Sequence, residues 1–290
     1  MANSEQIVAA LKNIIDEGKV RTDKESLDSH GKDWTKIYAP KPTAIVFPKS
    51  TEEVQSIVRL ANEMEFALVP SGGRTGLSAG AVASNGEIVV SFDYMNSIVD
   101  FSASDQTVRC QAGVITEQLQ NYAEDQGLYY PVDFASAGSS QLGGNLSTNA
   151  GGIKVIKYGM SRDWVLGLKV VTGSGEILEL NRDLLKNNTG YDLRHLFIGA
   201  EGTLGFITEA TMQLTEAPTD LTVLILAVVD VPSLMKVFDA FRLNCRLTAF
   251  ECFSQRTLDI VCQHMQLEKP LQADAPLYVL IEFDKQSEEM

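Results

Sequence analysis

The chain opens with apolar residues at helical spacing. Ile7, Leu11, Ile14 and Ile15 share one face of MANSEQIVAALKNIIDEGK, which predicts an amphipathic helix that gives way to a polar loop before residue 38. From AIVFP (44–48) the period shortens to that of a strand. TEEVQSIVRLANEMEF (51–66) then reads as a helix, with Thr51, Glu52 and Glu53 suited to its first turn, and ALVP (67–70) as a second strand. EIVVSF, SIVDF and TVRCQAG are short β-like runs, and ITEQLQNYAEDQG (115–127) is an amphipathic helix with Gly127 as its C-terminal stop. VLGLKVVTGSGEILEL (165–180) reads as a hairpin, and FITEATMQL as a long strand. Beyond Pro218 the order is strand (LTVLILAVV), helix (SLMKVFDAFRL), strand (TAFECF), helix (TLDIVCQHM) and strand (LYVLIEF). The expected organisation is an N-terminal helical segment over 1–38, a domain over 39–217 and a second domain over 218–290, with the boundary near 216–220.

Composition narrows the function classes. With 290 residues, 44% hydrophobic and 21% charged, the chain can bury a sizeable core. A net charge of −14 argues against nucleic acid or an anionic membrane surface as partner. The N-terminus lacks the basic start and apolar run of a signal peptide, and LTVLILAVVDVP is too short to span a bilayer. Cys110, Cys245, Cys252 and Cys262 form no CxxC pair, so reduced thiols and a cytoplasmic location are expected. His30, His195 and His264 form no metal-ligand pattern, so no metal residue is assigned in this chain.

Three glycine clusters carry the candidate chemistry. PSGGRTGLSAG (70–80) follows a strand and offers successive backbone N–H groups, an anion-binding nest. It is neither a P-loop nor a dinucleotide fingerprint, because G-x-x-x-x-G-K-[ST] and G-x-G-x-x-G are both absent. GSSQLGGNLSTNAGG (138–152) repeats the offer, with Ser139, Thr148 and Asn149 as polar contacts. GAEGTLG (199–205) leads into a strand. Three such clusters at element boundaries suggest one elongated ligand held by backbone from several sides. A dinucleotide cofactor has that shape.

The strings PSGGRTGLSAG, PVDFASAGSSQLGGNLSTNAGG, KYGMSRDWVLGLKVVTGSGEIL and NNTGYDLRHLFIGAEGTLGFITEA resemble the FAD-binding domain of the vanillyl-alcohol oxidase fold, also called PCMH-type. The likeness runs from about residue 35 to 290 and is greatest to D-2-hydroxy-acid dehydrogenases. These include glycolate oxidase D subunits, D-lactate dehydrogenases and D-2-hydroxyglutarate dehydrogenases, and AFECF and LYVLIEF look most like the last of these. The resemblance implies an α+β architecture: a two-subdomain PCMH-type FAD-binding domain followed by the first part of an α+β cap. It implies that Pro70, Ser71, Gly72, Gly73, Arg74, Thr75, Gly76 and Leu77 cradle the FAD pyrophosphate. Gly138, Ser139, Gly143, Gly144, Asn145, Thr148, Asn149 and Gly152 would line the pyrophosphate and isoalloxazine, and Glu201, Gly202, Gly205 and Ile207 would complete the cradle. Two positions depart from the family. Ala79 stands where many relatives have glycine, and Arg74 follows Gly73 where covalently flavinylated members place histidine, so non-covalent FAD is expected.

The resemblance further implies oxidation of a small D-2-hydroxy acid at its α-carbon, with a quinone or electron-transfer flavoprotein as electron acceptor. The alternatives are a glycolate or D-lactate dehydrogenase subunit and a non-catalytic FAD-binding subunit of a larger complex. The family's base, carboxylate ligands and divalent-metal ligands come from a region with a Glu-His pair, which this sequence lacks, so no catalytic residue is assigned. The chain is expected to be C-terminally truncated or complemented by another polypeptide, inactive alone, and prone to self-association, a homodimer included. His195 and His264 read as packing or surface residues, His30 as a solvated loop residue and Asp133 as a local backbone cap. Arg74 stays open between a cofactor contact and a solvated loop charge.

Overall fold

The computed structural model describes residues 3–181, 183–272 and 274–284. Helix α1 (Ser4–Ile14) starts at Asn3, whose side chain accepts from the Gln6 N–H while the Gln6 side chain returns the bond, so two orphan donors are satisfied reciprocally. Its buried Ile7 and Leu11 pack with α3 (Thr51–Met64). That helix is capped by Ser50 and buries Val54, Ile57, Val58 and Ala61, the i, i+3, i+4, i+7 stripe visible in the sequence.

Around α3 lie two sheets. The first has the order β1 (Val20–Arg21), β2 (Ala44–Val46), β4 (Ile88–Ser91), β3 (Leu68–Ser71). β1 is antiparallel to β2, and the other pairs are parallel. Its Ala44, Val46, Ile88 and Val90 meet α1 and α3 in one buried cluster. The first glycine loop leaves the carboxyl end of β3, the edge where open parallel sheets bind ligands.

The second sheet is antiparallel, in the order β5 (Ile98–Ser102), β6 (Thr107–Gln111), β9 (Gly205–Gln213), β7 (Val165–Thr172), β8 (Ile177–Leu180). The β7–β8 hairpin turns through Gly173–Gly175, as its Gly-Ser-Gly sequence predicts. Helix α4 (Thr116–Asp125) ends at Gln126, and Gly127 follows in the left-handed region with φ +72°. Its N–H bonds back to the Glu124 carbonyl. Helices α2 (Lys24–His30), α5 (Leu142–Ser147) and the single turn α7 (Arg194–Phe197) complete this unit.

By packing, the chain divides into two units. The first comprises 1–130, 135–150 and 161–215, and the second 131–134, 151–160 and 216–290. The second unit holds a sheet ordered β10 (Leu221–Val228), β12 (Leu277–Asp284), β11 (Arg246–Ser254), with α8 (Val231–Asn244) and α9 (Gln255–Met265). Leu226, Val279, Ile281, Phe250 and Phe283 form its core with Phe238 and Phe241 of α8. A short turn, α6 (Val155–Tyr158), packs on β11, and Lys154 and Lys157 pair with Glu282 and Asp284 of β12. Residues 1–38, set apart in the sequence reading, pack within the first unit, and 131–134 and 151–160 pack with the second.

The polar loop expected around His30 is instead helix α2, begun by Asp23, whose side chain accepts from the Ser26 N–H. His30 is not a solvated residue. Its Nε2 donates to Asp93 Oδ2 at 3.1 Å, and its ring meets Phe47 edge-on at 5.1 Å. Asp93 lies just past β4 and gathers two further donors. Gln141 Nε2 donates to Oδ1 at 2.7 Å, and Arg74 Nη1 lies 3.4 Å from Oδ2. One carboxylate thus ties the end of α2, the first glycine loop and the second glycine segment together.

Burial by itself would raise the Asp93 carboxyl. The hydrogen bond from His30, the Arg74 charge and the Gln141 amide outweigh it and hold the group at about 2, below its ordinary 3.8. The fold therefore favours the charged form. Its contribution is present in full above about pH 4 and is lost as the pH falls toward 2, on the order of 1–2 kcal/mol after solvent screening. In thermal melts between pH 5 and 2, Asp93→Asn should show a shallower acid-induced loss of Tm than the parent. Parallel curves would remove Asp93 from the acid response.

Candidate functional site

The three glycine clusters, without Gly151 and Gly152 at the end of the second, converge inside the first unit. They converge because two of the glycines lack a side chain where backbone must meet backbone or ring. A Cβ on Gly73 would run into the Ser139 carbonyl, so the first loop lies directly on the second segment. A Cβ on Gly202 would come within 2.6 Å of Pro70 Cγ, so the third cluster lies on the start of the first loop. Gly143 seats α5 against Ala112 in the same way, at 2.7 Å, and Gly205 seats β9 against the Val171 carbonyl. These four glycines serve protein packing.

A second group faces open space. A Cβ on Gly144 would meet nothing within 4 Å. On Gly72, Gly76 and Gly80 the nearest atoms would be side-chain oxygens of Gln141, Asp33 and Glu201 at 3.4, 3.8 and 3.7 Å. All four line one cleft of about 340 Å³. Among the described residues, none accepts a hydrogen bond from the backbone N–H groups of Gly73 to Ser78. Gly73 to Ser78 line the cleft, so these unpartnered donors are available to an anion there, in the manner of an anion-binding nest.

Most of the sequence-predicted site residues line this cleft. From the first loop these are Pro70, Gly72, Gly73, Arg74, Thr75, Gly76 and Leu77; from the second segment Gly143, Gly144, Asn145 and Thr148; and from the third cluster Glu201, Gly202, Gly205 and Ile207. The other five lie off it. Ser71 is fully buried at the end of β3 and donates to the His30 carbonyl at 3.4 Å. Ser139 supplies the carbonyl that receives Gly73, and Gly138 lies beside Glu117. Asn149 accepts from the Arg162 N–H at 3.1 Å, in a left-handed conformation with φ +49°. Gly152 belongs to the second unit, where a Cβ would strike the Asp133 carbonyl.

The cleft also takes residues that the sequence reading passed over. Phe92, Ala112 and Phe206 give it an apolar wall, and Ser78, Gly80, Ala81 and Ser147 extend its rim. Asp33 and Gln141 line it too. Both are more than nine-tenths buried, and Asp33 Oδ2 and Gln141 Oε1 have no hydrogen-bond partner among the described residues. The Gln141 orientation follows from Asp93: only its NH2 group can donate to a carboxylate, which leaves the amide oxygen on the other side. Gln141 stood inside the quoted glycine string. Asp33 had no local signal, because what marks it is its closeness to Gly76, 43 residues later.

The loop is held in an unusual backbone shape. Arg74 and Ala79 have φ +59° and +65°, and Glu201 has +52°. Such values are uncommon for residues with a Cβ and persist where surrounding structure over-determines them. At Ala79 the conformation explains why many members of the resembled family place glycine there.

These features fit FAD. The bare N–H groups and open glycines suit a pyrophosphate approached by backbone. Asp33 and Gln141 offer acceptors near hydroxyl or N–H groups, and the apolar wall suits a flat ring. His195 is surface-placed on α7, 3.5 Å from Asp192, and His264 is exposed on α9. No group of three or more His, Cys, Asp or Glu side chains among the described residues is arranged to hold a metal ion. Among the same residues, no helix is long and apolar enough to cross a membrane.

Comparison with known proteins agrees with this geometry. Residues 42–181 match the FAD binding domain family. The chain is 62% identical over 283 residues to the D-2-hydroxyglutarate dehydrogenase of Stutzerimonas stutzeri, 51% over 276 to that of Xanthomonas citri and 38% over 285 to the mitochondrial one of Bos taurus. These alignments take in 98%, 95% and 96% of this chain but 61%, 58% and 51% of the relatives, so the chain spans between half and two thirds of their length. Among solved structures, alkyldihydroxyacetonephosphate synthase superposes with a TM-score of 0.81 at 22% identity, over 99% of this chain and 57% of that one. p-Cresol methylhydroxylase does so with 0.76 at 16% identity, over 98% of this chain and 61% of the other. At such identities these two speak for the fold alone. Most of the cleft lining falls within residues 42–181, the segment that matches the FAD binding domain family, and the chain is similar to FAD-linked oxidases of the PCMH-type fold.

Proposed function

We propose that the cleft of the first unit binds FAD non-covalently and that the protein acts in the oxidation of a D-2-hydroxy acid to the 2-oxo acid, with D-2-hydroxyglutarate as the favoured substrate. The observation that carries the cofactor reading is the row of unpartnered N–H groups from Gly73 to Ser78 beside glycines that open onto the cleft. The absence of histidine, cysteine and tyrosine from the described cleft lining supports a non-covalent cofactor. The substrate reading is supported by the relatives at 62%, 51% and 38% identity, each a D-2-hydroxyglutarate dehydrogenase, ahead of glycolate or D-lactate.

When bound, FAD would supply the hydride acceptor for the substrate α-carbon. The chain's own residues bind and orient it. Gly73 to Ser78 donate to its anionic centre, Gly72 and Gly144 let backbone come close, and Phe92 and Phe206 help keep water from the inner wall. No described residue is assigned as the base. Electrons would pass on to a quinone or an electron-transfer flavoprotein. A cytoplasmic placement is supported by the four free cysteines, of which buried Cys110 is pushed up to about 12 by desolvation and is inert as a thiol.

The first test is the visible spectrum of the purified 290-residue chain, before and after denaturation. The expected result is a flavin spectrum whose chromophore is released on unfolding. A colourless protein that FAD cannot reconstitute would refute the cofactor reading. Anaerobic mixing with D-2-hydroxyglutarate, D-lactate or glycolate then ranks the substrates by loss of flavin absorbance. Bound flavin that none of them bleaches is the result expected of a chain that only holds FAD, with the oxidation needing further residues.

The two glycine classes give a second prediction. Gly144→Ala places a methyl into the cleft and none into the protein. It should leave the Tm unchanged or slightly raised, because alanine is the better helix former, while FAD affinity falls about tenfold or more. Gly73→Ala meets the Ser139 carbonyl and should lower the Tm itself. Equal melting losses in both variants would contradict the distinction.

A further inference from the structure

Arg74 is the one positive charge in the first glycine loop and lines the cleft, so its plain reading is a countercharge for the cofactor's phosphates. Its geometry says otherwise. The Arg74 backbone is left-handed, with φ +59°, a conformation disfavoured for a residue with a Cβ. From there the guanidinium folds back over its own loop. Nη1 donates to the Gly72 carbonyl at 2.8 Å and lies 3.4 and 3.5 Å from the two Asp93 oxygens. Asp93 is itself fixed by His30 from α2 and Gln141 from the head of α5. The Nη1 end of the cation is thus engaged by the protein, while the backbone N–H groups of the same loop have no partner among the described residues.

We infer that Arg74 is a positioning residue: clamped by Asp93, it staples the first glycine loop into its left-handed shape, and the loop's backbone N–H groups, not the guanidinium, take the anionic part of the ligand. The staple rests on the FAD reading only for what the loop binds. Its existence is a property of the protein alone. A carboxylate without His30 and Gln141 behind it would swing toward solvent, and the Arg74 side chain would keep only its bond to Gly72, inside the loop itself. The inference also assigns Asp93 a use, since a partly buried acid behind an anion site would otherwise weaken anion binding.

Two measurements on Asp93→Asn, Arg74→Ala and Arg74→Gly test this. The first needs no cofactor. Trypsin must draw the Arg74 side chain out of the staple to cut after it. Cleavage there, relative to cleavage after exposed Lys186, should therefore quicken about fivefold or more in Asp93→Asn. An unchanged ratio overturns the staple whether or not FAD binds. The second is FAD affinity by quenching of flavin fluorescence. Asp93→Asn and Arg74→Ala should each weaken it about tenfold, and Arg74→Gly, which adopts the left-handed turn freely, should recover part of the loss. A countercharge role predicts the opposite pattern. Asp93→Asn would then free the guanidinium and tighten FAD, and Ala and Gly at position 74 would lose equally. If Asp93→Asn does not fold, the order of the Ala and Gly variants decides. If the parent binds no FAD, the functional reading fails while the trypsin result still judges the staple.

Discussion

A single carboxylate organises the site. Asp93 receives hydrogen-bond donors from a helix end 63 residues before it, from a loop 19 residues before it and from a helix start 48 residues after it. Each donor on its own is a modest interaction at a half-buried position. Together they fix three separate backbone segments relative to β4, and those segments carry most of the cleft. The arrangement is costly to leave incomplete, because a partly buried carboxylate with a missing donor keeps its share of the desolvation penalty. That cooperativity is why the loop can hold residues such as Arg74 and Ala79 in sparsely populated conformations.

On the proposed reading, the cleft uses backbone where many anion sites use lysine. The chain carries fourteen more acidic than basic charges, and the lone loop cation is tied to Asp93. Backbone amides supply directional donors without adding a titratable group, and glycine is what brings them near a ligand. The glycines divide by what their missing side chain makes room for. Some admit another part of the protein, and others leave space in the cleft. A glycine count cannot separate the two groups, and only the three-dimensional neighbours can.

Much of this was legible in the sequence. The 3.6-residue stripe of α3 and the Gly-Ser-Gly turn of the β7–β8 hairpin are local facts, set by residues close together in the chain. The glycine clusters marked the cleft because dense glycine at strand and helix ends has few other uses. What stayed hidden depends on distant partners. α5 was obscured by the glycines inside it, which are poor helix formers held helical by packing of Gly143 on Ala112. α2 was read as loop because its sequence is polar. Its helix rests on an Asp23 cap and on the last residue's bond to Asp93. Gly152 looked like its neighbours in the second cluster, yet it packs in the other unit, a difference that no short window records.

The second unit is assembled from three pieces of chain, and this has a consequence during synthesis. The α6 turn carries Lys154 and Lys157, whose partners Glu282 and Asp284 lie on β12, more than 120 residues later. At translation rates of about 5–20 residues per second, the turn leaves the ribosome on the order of ten seconds before the strand that pairs with it. For that interval its two lysines and the apolar side of Val155 have no native neighbour on β11 or β12. The nascent first unit, whose own strands are already complete by Gln213, must carry this unpaired segment as a passenger until the last strand arrives.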